Sequence, residues 1–374
     1  MRVTFPHMGN AYISVKVLLD EIGIDYVIPP LFDKKSFEEG IFNSPEFICL
    51  PFKKLLGDFL YGLKNGADTI LFGGGCGQCR QGYYSDVYKE ILDSLGYKYE
   101  FININVKKIS VKDILSNIKP LVKGKSSAKI MRGVLYALRT CFAVDDLYSL
   151  ANKIRCREIN KGRCDRILKE FINNILKVKG YRAIFGAVKN AKAEMLKIET
   201  DDSLMPLKIA IVGEIFIACE PYTNLEIEKK LGSLGVMVRN RVSVSGWIKE
   251  RFLLNLLPFK PKNRTKEAAF EFMKTDYIGG HGINTVGDSV LSSKEGYDGI
   301  IQLLPFTCMP EIIAQSTFNE IQKKYNTPIM TLILDEMTGE AGYMTRLEAF
   351  VDMIRMRKNT NFKENLEIEK KQTA

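Results

Sequence analysis

The first hundred residues alternate between short apolar segments and amphipathic segments of helical period, and this alternation constrains the fold more than any other feature of the sequence. Strand-like segments are "RVTFP", "DYVIP", "DTILF" and "KYEFINI", and the helix-like segments between them include "YISVKVLLDEIG" and "PFKKLLGDFLYGLKNG". Gly23 and Gly66 stand where these helices should end. Short strands separated by helices predict a parallel sheet covered on both faces. Ligands of such sheets bind at the carboxyl ends of the strands.

The alternation returns after Met205-Pro206 and predicts a second domain of the same class. "LKIAIVGEIFI" begins this domain, and the strand-like segments "VMVRNRVSV", "GIIQLLP" and "PIMTLIL" follow. The helix-like segments are "NLEIEKKLGSLG", "PEIIAQSTFNEIQKKY" and "TRLEAFVDMIRMR", and the stretch 247–275 has no clear pattern. The two halves share a fold class without a repeat of sequence. The predicted fold is therefore α/β, with two flavodoxin-like parallel-sheet domains.

The segment between these halves is basic and helical in pattern. Residues 106–199 contain 22 Lys and Arg against 8 Asp and Glu, which gives this part a local net charge of +14. The whole chain has a net charge of +10, so the other residues together carry −4. We predict an N-terminal α/β domain at 1–105, a basic helical subdomain at 106–205, a C-terminal α/β domain at 206–358 and a charged, frayed tail at 359–374. A basic face can bind coenzyme A, nucleic acid or an acidic partner, or can simply be solvated. Nucleic acid is disfavoured because the segment lacks zinc-finger spacing and aromatic ribonucleoprotein motifs.

The location expected for this chain is the cytoplasm. No apolar run approaches the ~20 residues that span a bilayer, and the N-terminus lacks the apolar stretch of a signal peptide. Cytosolic thiols stay reduced, so the eight cysteines should not form a disulfide framework.

Several cysteines stand at predicted strand ends next to proline or glycine. Cys76 and Cys79 lie in "GGGCGQCRQGYY", Cys49 precedes Leu-Pro, and Cys308 precedes Met-Pro-Glu. Cys219 also follows a predicted strand, whereas Cys141, Cys156 and Cys164 lie in the basic helical region. A single cysteine is most often a small buried apolar residue, but four in such positions favour a shared site.

The residues leave several kinds of site open. Closed zinc sites need four Cys or His ligands, and with one Cys pair and only two histidines, His7 and His281, such a site is disfavoured. A thioredoxin-like Cys-x-x-Cys at a helix start fits roughly. An iron–sulfur cluster would use thiolates from distant loops, glycines would admit backbone N–H groups, and Arg80 would offset the negative charge. A phosphate cradle at "GGGCG" is disfavoured because the Lys-Ser/Thr of a P-loop is missing.

Three polar stretches are weaker candidates. Glu214, Glu220 and Asn224 lie near a strand end and either orient a substrate or, in the case of Asn224, cap a helix. His281 lies in the Gly-rich "GGHGINTVGDSV". This loop either contacts a ligand or cluster or is a turn with a satisfied histidine, which is the safer interpretation. Thr345 is predicted as a helix N-cap, with Glu348 completing a capping box.

The segments "CLPFK", "GGGCGQCRQGYY", "VGEIFIACEPYTN", "LLPFTCMPE" and "DEMTGEAGYMTRLEAF" occur in an order that resembles the 2-hydroxyacyl-CoA dehydratase superfamily. The similarity is greatest to its acyl-CoA dehydratase activase-related branch, which includes CoA protein activases and double-cubane cluster proteins. It covers both α/β halves and little of the basic region.

The resemblance implies an oxygen-sensitive iron–sulfur cluster, [4Fe-4S] or double-cubane [8Fe-9S], held by cysteines of flavodoxin-like domains. Carried over motif by motif, it implies Cys49, Cys76, Cys79 and Cys308 as the cluster-binding residues, with Cys219 in reserve. It also implies electrons from a separate ATP-hydrolysing activator protein with its own iron–sulfur cluster, a homodimer, and reduction of a small or acyl-CoA substrate. The alternatives are a non-catalytic accessory protein that binds CoA or a partner, and a thiol–disulfide oxidoreductase using Cys76 and Cys79.

Overall fold

The structure is a computed structural model that describes residues 1–74, 78–104, 118–250, 262–275 and 278–372, with side chains described up to residue 360. Cys76 and the part of the unpatterned stretch from 251 to 261 lie outside the described residues. Among the helices that are described, none combines the length and the apolar character needed to cross a membrane.

The N-terminal domain is a four-stranded parallel sheet with the strand order β2-β1-β3-β4. Its strands are β1 (Arg2–Thr4), β2 (Asp25–Val27), β3 (Thr69–Gly73) and β4 (Glu100–Ile104). The helices between them are α1 (Ala11–Ile22), α2 (Lys34–Phe42), α3 (Leu50–Lys64) and α4 (Tyr84–Ser94), with a short 3₁₀ helix at Arg80–Tyr83. Gly23 ends α1 in the left-handed conformation, as its position predicts.

The C-terminal domain repeats this architecture with the strand order β6-β5-β7-β8. Its strands are β5 (Leu207–Gly213), β6 (Val236–Asn240), β7 (Gly299–Pro305) and β8 (Ile329–Leu334), and all its strand pairs are parallel. The helices are α9 (Ile215–Cys219), α10 (Ile227–Ser233), α11 (Val244–Ile248), α12 (Arg264–Ala269), α13 (Gly282–Lys294), α14 (Met309–Ser316), α15 (Phe318–Tyr325) and α16 (Glu340–Gln372). The predicted pair of flavodoxin-like parallel sheets is confirmed.

In both sheets the first strand has the second strand on one side and the third on the other. This reversal of strand order is a topological switch point, and it opens a crevice at the carboxyl ends of the strands. One continuous apolar core joins the two domains, from Phe52 and Phe59 of α3 to Ile209 and Leu303 of the second sheet. The carboxyl edges of the two sheets therefore belong to one packed unit.

The basic segment contributes α5 (Lys119–Val122), α6 (Ser127–Arg155), α7 (Arg163–Lys177) and α8 (Tyr181–Met195). The apolar sides of these helices form a second core with Val3, Ile13 and other residues of the N-terminal domain. Gly133 of α6 lies against Leu18 of α1. The helices therefore pack over α1 on the side of the first sheet opposite α3, and most of their basic residues are exposed, whereas Arg155 is buried.

A buried polar network connects this helical segment to the C-terminal domain. Arg155 donates to Asn152 (2.6 Å) and to Asp165 (2.9 Å), and Asn152 donates to Glu228 (2.7 Å). Glu228 also accepts from Asn240 (2.8 Å). Asn152 and Arg155 are buried and their partners Asp165 and Glu228 are half-buried, so the network satisfies buried polar groups at this contact.

Three boundaries differ from those that the sequence predicts. Thr345 is not an N-cap, because α16 already begins at Glu340 and the Thr345 hydroxyl donates back to the Ala341 carbonyl (3.1 Å). The predicted helix over 310–325 is two helices that meet at Thr317. The predicted frayed tail is helical in its backbone up to Gln372, as a continuation of α16.

Helices α2 and α3 cross with their backbones in contact, and this crossing holds the segment that carries Cys49. A Cβ at Gly40 would lie 2.1 Å from the Lys53 carbonyl oxygen, and a Cβ at Gly57 would lie 2.3 Å from that of Ser36. We expect Gly40→Ala to destabilise the protein by about 1–3 kcal/mol, because overpacked backbone contacts force the helices apart. Urea unfolding measures this effect.

Gly186 provides the matched control, since it lies within α8 and a Cβ there would meet no atom within 4 Å. Gly186→Ala should stabilise the protein by about 0.5–1 kcal/mol through helix propensity. Equal effects of the two substitutions would contradict the close crossing.

Candidate metal centre

Three of the predicted cysteines each stand directly before a helix. Cys49 precedes α3, Cys79 precedes the 3₁₀ helix, and Cys308 precedes α14, and all three have an extended backbone. Proline within the first turn of α3 and α14 fixes where these two helices begin. Helix starts present free backbone N–H groups, which favour negatively charged ligands.

A single guanidinium connects the three cysteine loops. Arg80, next to Cys79, donates to the carbonyl of Phe47 (3.0 Å), and to the carbonyl (2.8 Å) and hydroxyl (2.7 Å) of Thr307. The Thr307 hydroxyl also donates to the Phe47 carbonyl (3.3 Å). Phe47 lies two residues before Cys49 and Thr307 lies one before Cys308, so these bonds draw together the loops of all three cysteines.

The thiols are buried and lie within electrostatic range of one another. Cys49 and Cys308 are 9% and 7% exposed, and Cys79 is half-buried. Burial raises the pKa of Cys49 to about 11, and the neighbouring Glu214 and Cys79 contribute to the rise. Burial likewise raises the pKa of Cys308, with further contributions from Glu214 and Cys49. The three thiols are therefore protonated at neutral pH, and each must release a proton to bind a metal.

Glu214 is the acidic group that all three thiols share. Burial, Glu214 and other groups raise the pKa of Cys79 too, although Arg80 and backbone N–H groups lower it. Glu214 caps α9 by accepting from the Ile217 N–H (2.9 Å), and burial raises its own pKa. Its position at the end of β5 is the one that the sequence predicts for a functional group.

Two further contacts form at this centre, of which the one from Tyr84 has no counterpart in the sequence-based predictions. The Tyr84 hydroxyl is hydrogen-bonded to the Cys49 sulfur. The loop that carries His281 lies against Cys79, since a Cβ at Gly279 would lie 2.5 Å from the Cys79 nitrogen. The Gly-rich composition of this loop was the signal for such a close approach.

The remaining cysteines lie elsewhere, apart from Cys76, which falls outside the described residues. Cys219 points its sulfur toward the Val242 carbonyl (3.8 Å). Cys141, Cys156 and Cys164 are buried in the helical segment, as their surroundings predict. The Asn224 side chain accepts a hydrogen bond from the Ile227 N–H (3.3 Å) at the start of α10, whose N-cap residue is Glu226. His281 is hydrogen-bonded to the Gly213 carbonyl (3.2 Å).

In the described part of the chain, no three His, Cys, Asp or Glu side chains lie close enough to hold one metal ion. Cys49, Cys79 and Cys308 still offer three soft sulfur donors in neighbouring loops, with the Arg80 guanidinium next to Cys79. This donor set suits a thiolate-bound iron–sulfur cluster and does not suit hard cations such as Mg²⁺.

Loss of the guanidinium should loosen the loops while the fold persists. In Arg80→Gln we expect amide hydrogen exchange of the segments around Phe47 and Thr307 to rise about 5- to 30-fold, as bonds worth about 1–2 kcal/mol together are lost. Hydrogen-exchange mass spectrometry measures it. Arg166→Gln, at an exposed arginine of α7, is the control and should leave the exchange rates of both segments unchanged. Exchange in Arg80→Gln as slow as in the wild-type protein would contradict the role of Arg80.

A scan against protein-family models and a search of curated protein sequences each found no match to this chain.

Proposed function

We propose that the chain is an oxygen-sensitive iron–sulfur redox protein that accepts low-potential electrons from an ATP-hydrolysing activator and reduces a small or acyl-CoA substrate. The observation that carries the proposal is the meeting of the Cys49, Cys79 and Cys308 loops, from both domains, on the side chain of Arg80. The resemblance to the 2-hydroxyacyl-CoA dehydratase superfamily supports the same conclusion. We further propose that the protein acts in the cytoplasm as a homodimer.

Cys49, Cys79 and Cys308, with Cys76 of the same Gly-rich segment, would hold the cluster. When bound, a cluster supplies reversible one-electron transfer at a potential set by its surroundings. The chain contributes the surroundings. Burial of Cys49 and Cys308 limits the access of water to their sulfurs, and Arg80 places positive charge near Cys79. The Tyr84 hydroxyl would donate to the Cys49 sulfur once that thiol has lost its proton.

The thiol–disulfide alternative is less well supported. Reactive Cys-x-x-Cys thiols have a lowered pKa, because a helix start or a nearby cation stabilises the thiolate. Burial raises the pKa of Cys79 in spite of its helix-start position and of Arg80. A thiol of this kind is a weak nucleophile at neutral pH, whereas a metal that binds it displaces its proton.

The experiment is reduction of the iron-loaded protein by an activator of this type, followed anaerobically by its visible spectrum. Bleaching that requires ATP hydrolysis, and that a reducible substrate reverses, is the expected result. Electron uptake without turnover on any substrate would favour the accessory role. A response that depends only on Cys76 and Cys79, and persists without iron, would favour the thiol–disulfide oxidoreductase.

A further inference from the structure

A cleft of about 380 Å³ lies between the two α/β domains. One wall is the side of α2 that carries Lys34, Phe37, Glu38 and Ile41, which is one face of a helix. The other walls are the segment 221–226 that follows α9 and the segment 335–340 that follows β8. Clefts of ~300–1,000 Å³ at strand carboxyl ends are the usual sites for small ligands.

The cleft adjoins the candidate metal centre through α3. Leu50 lines the cleft and is bonded to Cys49, and Lys53 of the next turn is paired with Glu336 of the opposite wall. A molecule in the cleft would therefore rest on the helix start that carries one of the three thiols.

Three aromatic side chains face the cleft as a group. Phe37 meets Tyr222 edge to face, with ring centroids 5.3 Å apart, and Phe32 meets the same ring at 6.0 Å. Phe32 is 55% exposed, which is unusual for a large apolar side chain in a concave site. Aromatic faces combined with an apolar floor attract organic cations such as methylated ammonium groups.

The charged residues of the cleft are paired and close to balance. Its lining contains five carboxylates: Glu38, Glu226, Asp335, Glu336 and Glu340. Both ammonium groups of the lining are paired, Lys34 with Glu38 (3.5 Å) and Lys230 with Glu340 (2.7 Å). Lys53 and Lys229 are paired with Glu336 and Glu226, and the Lys54 ammonium lies 5.9 Å from the centroid of the Tyr222 ring. Because both of its ammonium groups are paired, the described lining has no free cation to bind the phosphates of a polyanion.

The wall that carries Tyr222 is held in one conformation. Leu225 and Glu226 both adopt a positive φ, of 55° and 54°. The Glu226 N–H donates to the Pro221 carbonyl (2.9 Å), and the Lys230 ammonium donates to the Leu225 carbonyl (2.6 Å). The aromatic group is therefore preorganised, which lowers the entropic cost of binding.

We propose that this cleft is the substrate pocket of the protein and takes a small organic ammonium compound rather than a coenzyme A thioester. The role of the cleft as a substrate pocket rests on the proposed redox function, whereas the binding of an organic cation rests on the cleft alone.

The test is binding of tetramethylammonium to the full chain, measured by calorimetry and by saturation-transfer NMR, with tert-butanol as the neutral probe of the same shape and coenzyme A as the polyanion. We expect tetramethylammonium to bind about 2- to 5-fold more tightly than tert-butanol, the range of an exposed cation–π contact. Coenzyme A should not compete. Competition by coenzyme A, or equal binding of the two small probes, would overturn the assignment.

Phe37→Leu removes an aromatic face but keeps apolar volume, and Glu226→Gln removes a charge without changing shape. Each should weaken tetramethylammonium binding about 2- to 5-fold. Phe270→Leu is the control, because Phe270 is also exposed and lies near a lysine ammonium, but outside the cleft. Binding that neither cleft variant weakens would overturn the assignment.

The two proposals fail in different ways. A protein that binds iron but not tetramethylammonium would contradict the cleft assignment alone. A protein that binds tetramethylammonium but never iron would contradict the redox function, and with it the role of the cleft as a substrate pocket.

Discussion

Cys308→Ser and Cys49→Ser should each lose at least half of the iron bound by the wild-type protein after anaerobic reconstitution, together with the visible absorption of the cluster. A serine oxygen is a hard, weakly acidic donor and replaces a soft thiolate poorly. Because the three loops come from both domains, loss of either cysteine removes a ligand that no neighbouring described cysteine supplies. Iron assay and absorption spectra measure the effect.

Cys156→Ser is the matched control. Cys156 is buried at the end of α6, where its sulfur donates only to the Lys153 carbonyl (3.4 Å). A serine hydroxyl can make the same bond, so this variant should keep its iron. Iron loss equal to that of Cys308→Ser would point to general destabilisation, and full iron retention in both site variants would remove Cys49 and Cys308 from the centre.

Lys54→Met should destabilise the protein by about 3–5 kcal/mol at pH 8, the usual effect of leaving buried carboxylates without their cation. Lys54 is 1% exposed, forms a salt bridge with Asp58, and lies near Glu220 of the other domain. Glu220 accepts from the Gly9 N–H (2.8 Å), so this charge cluster joins the two domains. Burial lowers the pKa of Lys54 and the carboxylates of Asp58 and Glu220 raise it by more, which keeps it cationic.

The loss should be smaller at pH 5.5. Burial raises the pKa of Glu220 to about 7, against the lowering effect of Lys54, so the folded state binds a proton that the unfolded state releases above a pH of about 4.5. The protonated Glu220 carboxyl therefore contributes to stability at low pH, and this contribution is lost as the pH rises toward 7. Without Lys54 the Glu220 carboxyl is harder to ionise in the folded protein. The loss of stability in Lys54→Met should therefore grow with pH.

Urea unfolding at pH 5.5 and pH 8 separates these effects. Lys229→Met removes an exposed lysine whose ion pair with Glu226 lies at the surface, and it should change stability by less than about 1 kcal/mol at either pH. A loss in Lys54→Met that is larger at pH 5.5 than at pH 8 would contradict the charge arrangement around Glu220.

Local patterns in the sequence were sufficient to predict both sheets, because each strand and helix is specified by its own apolar period and its flanking glycines or prolines. Gly23 and the cysteine–proline helix starts at Cys49 and Cys308 are of this kind. The predicted helix boundaries were wrong where a contact with a distant part of the chain determines where a helix begins. Thr345 has the composition of a capping box, but packing of Tyr343 and Leu347 into the core continues the helix through it.

The centre could be predicted only in part. Position at strand ends indicates which cysteines face the carboxyl edge, yet their meeting depends on how two domains dock, which no local pattern encodes. The bonds from Arg80 to Phe47 and Thr307 bridge up to 227 positions of sequence. The cleft lined by Phe32 and Tyr222 depends on the same docking and was not predicted.

The central claim is that the Cys49, Cys79 and Cys308 loops hold an iron–sulfur cluster. Its most direct measurement is the iron and acid-labile sulfide content per chain after anaerobic reconstitution and removal of unbound metal. The account predicts about four or more iron atoms per chain with a comparable amount of sulfide, as thiolate-bound [4Fe-4S] or larger clusters require. Less than about one iron atom per chain, with all thiols still free to react, would contradict it.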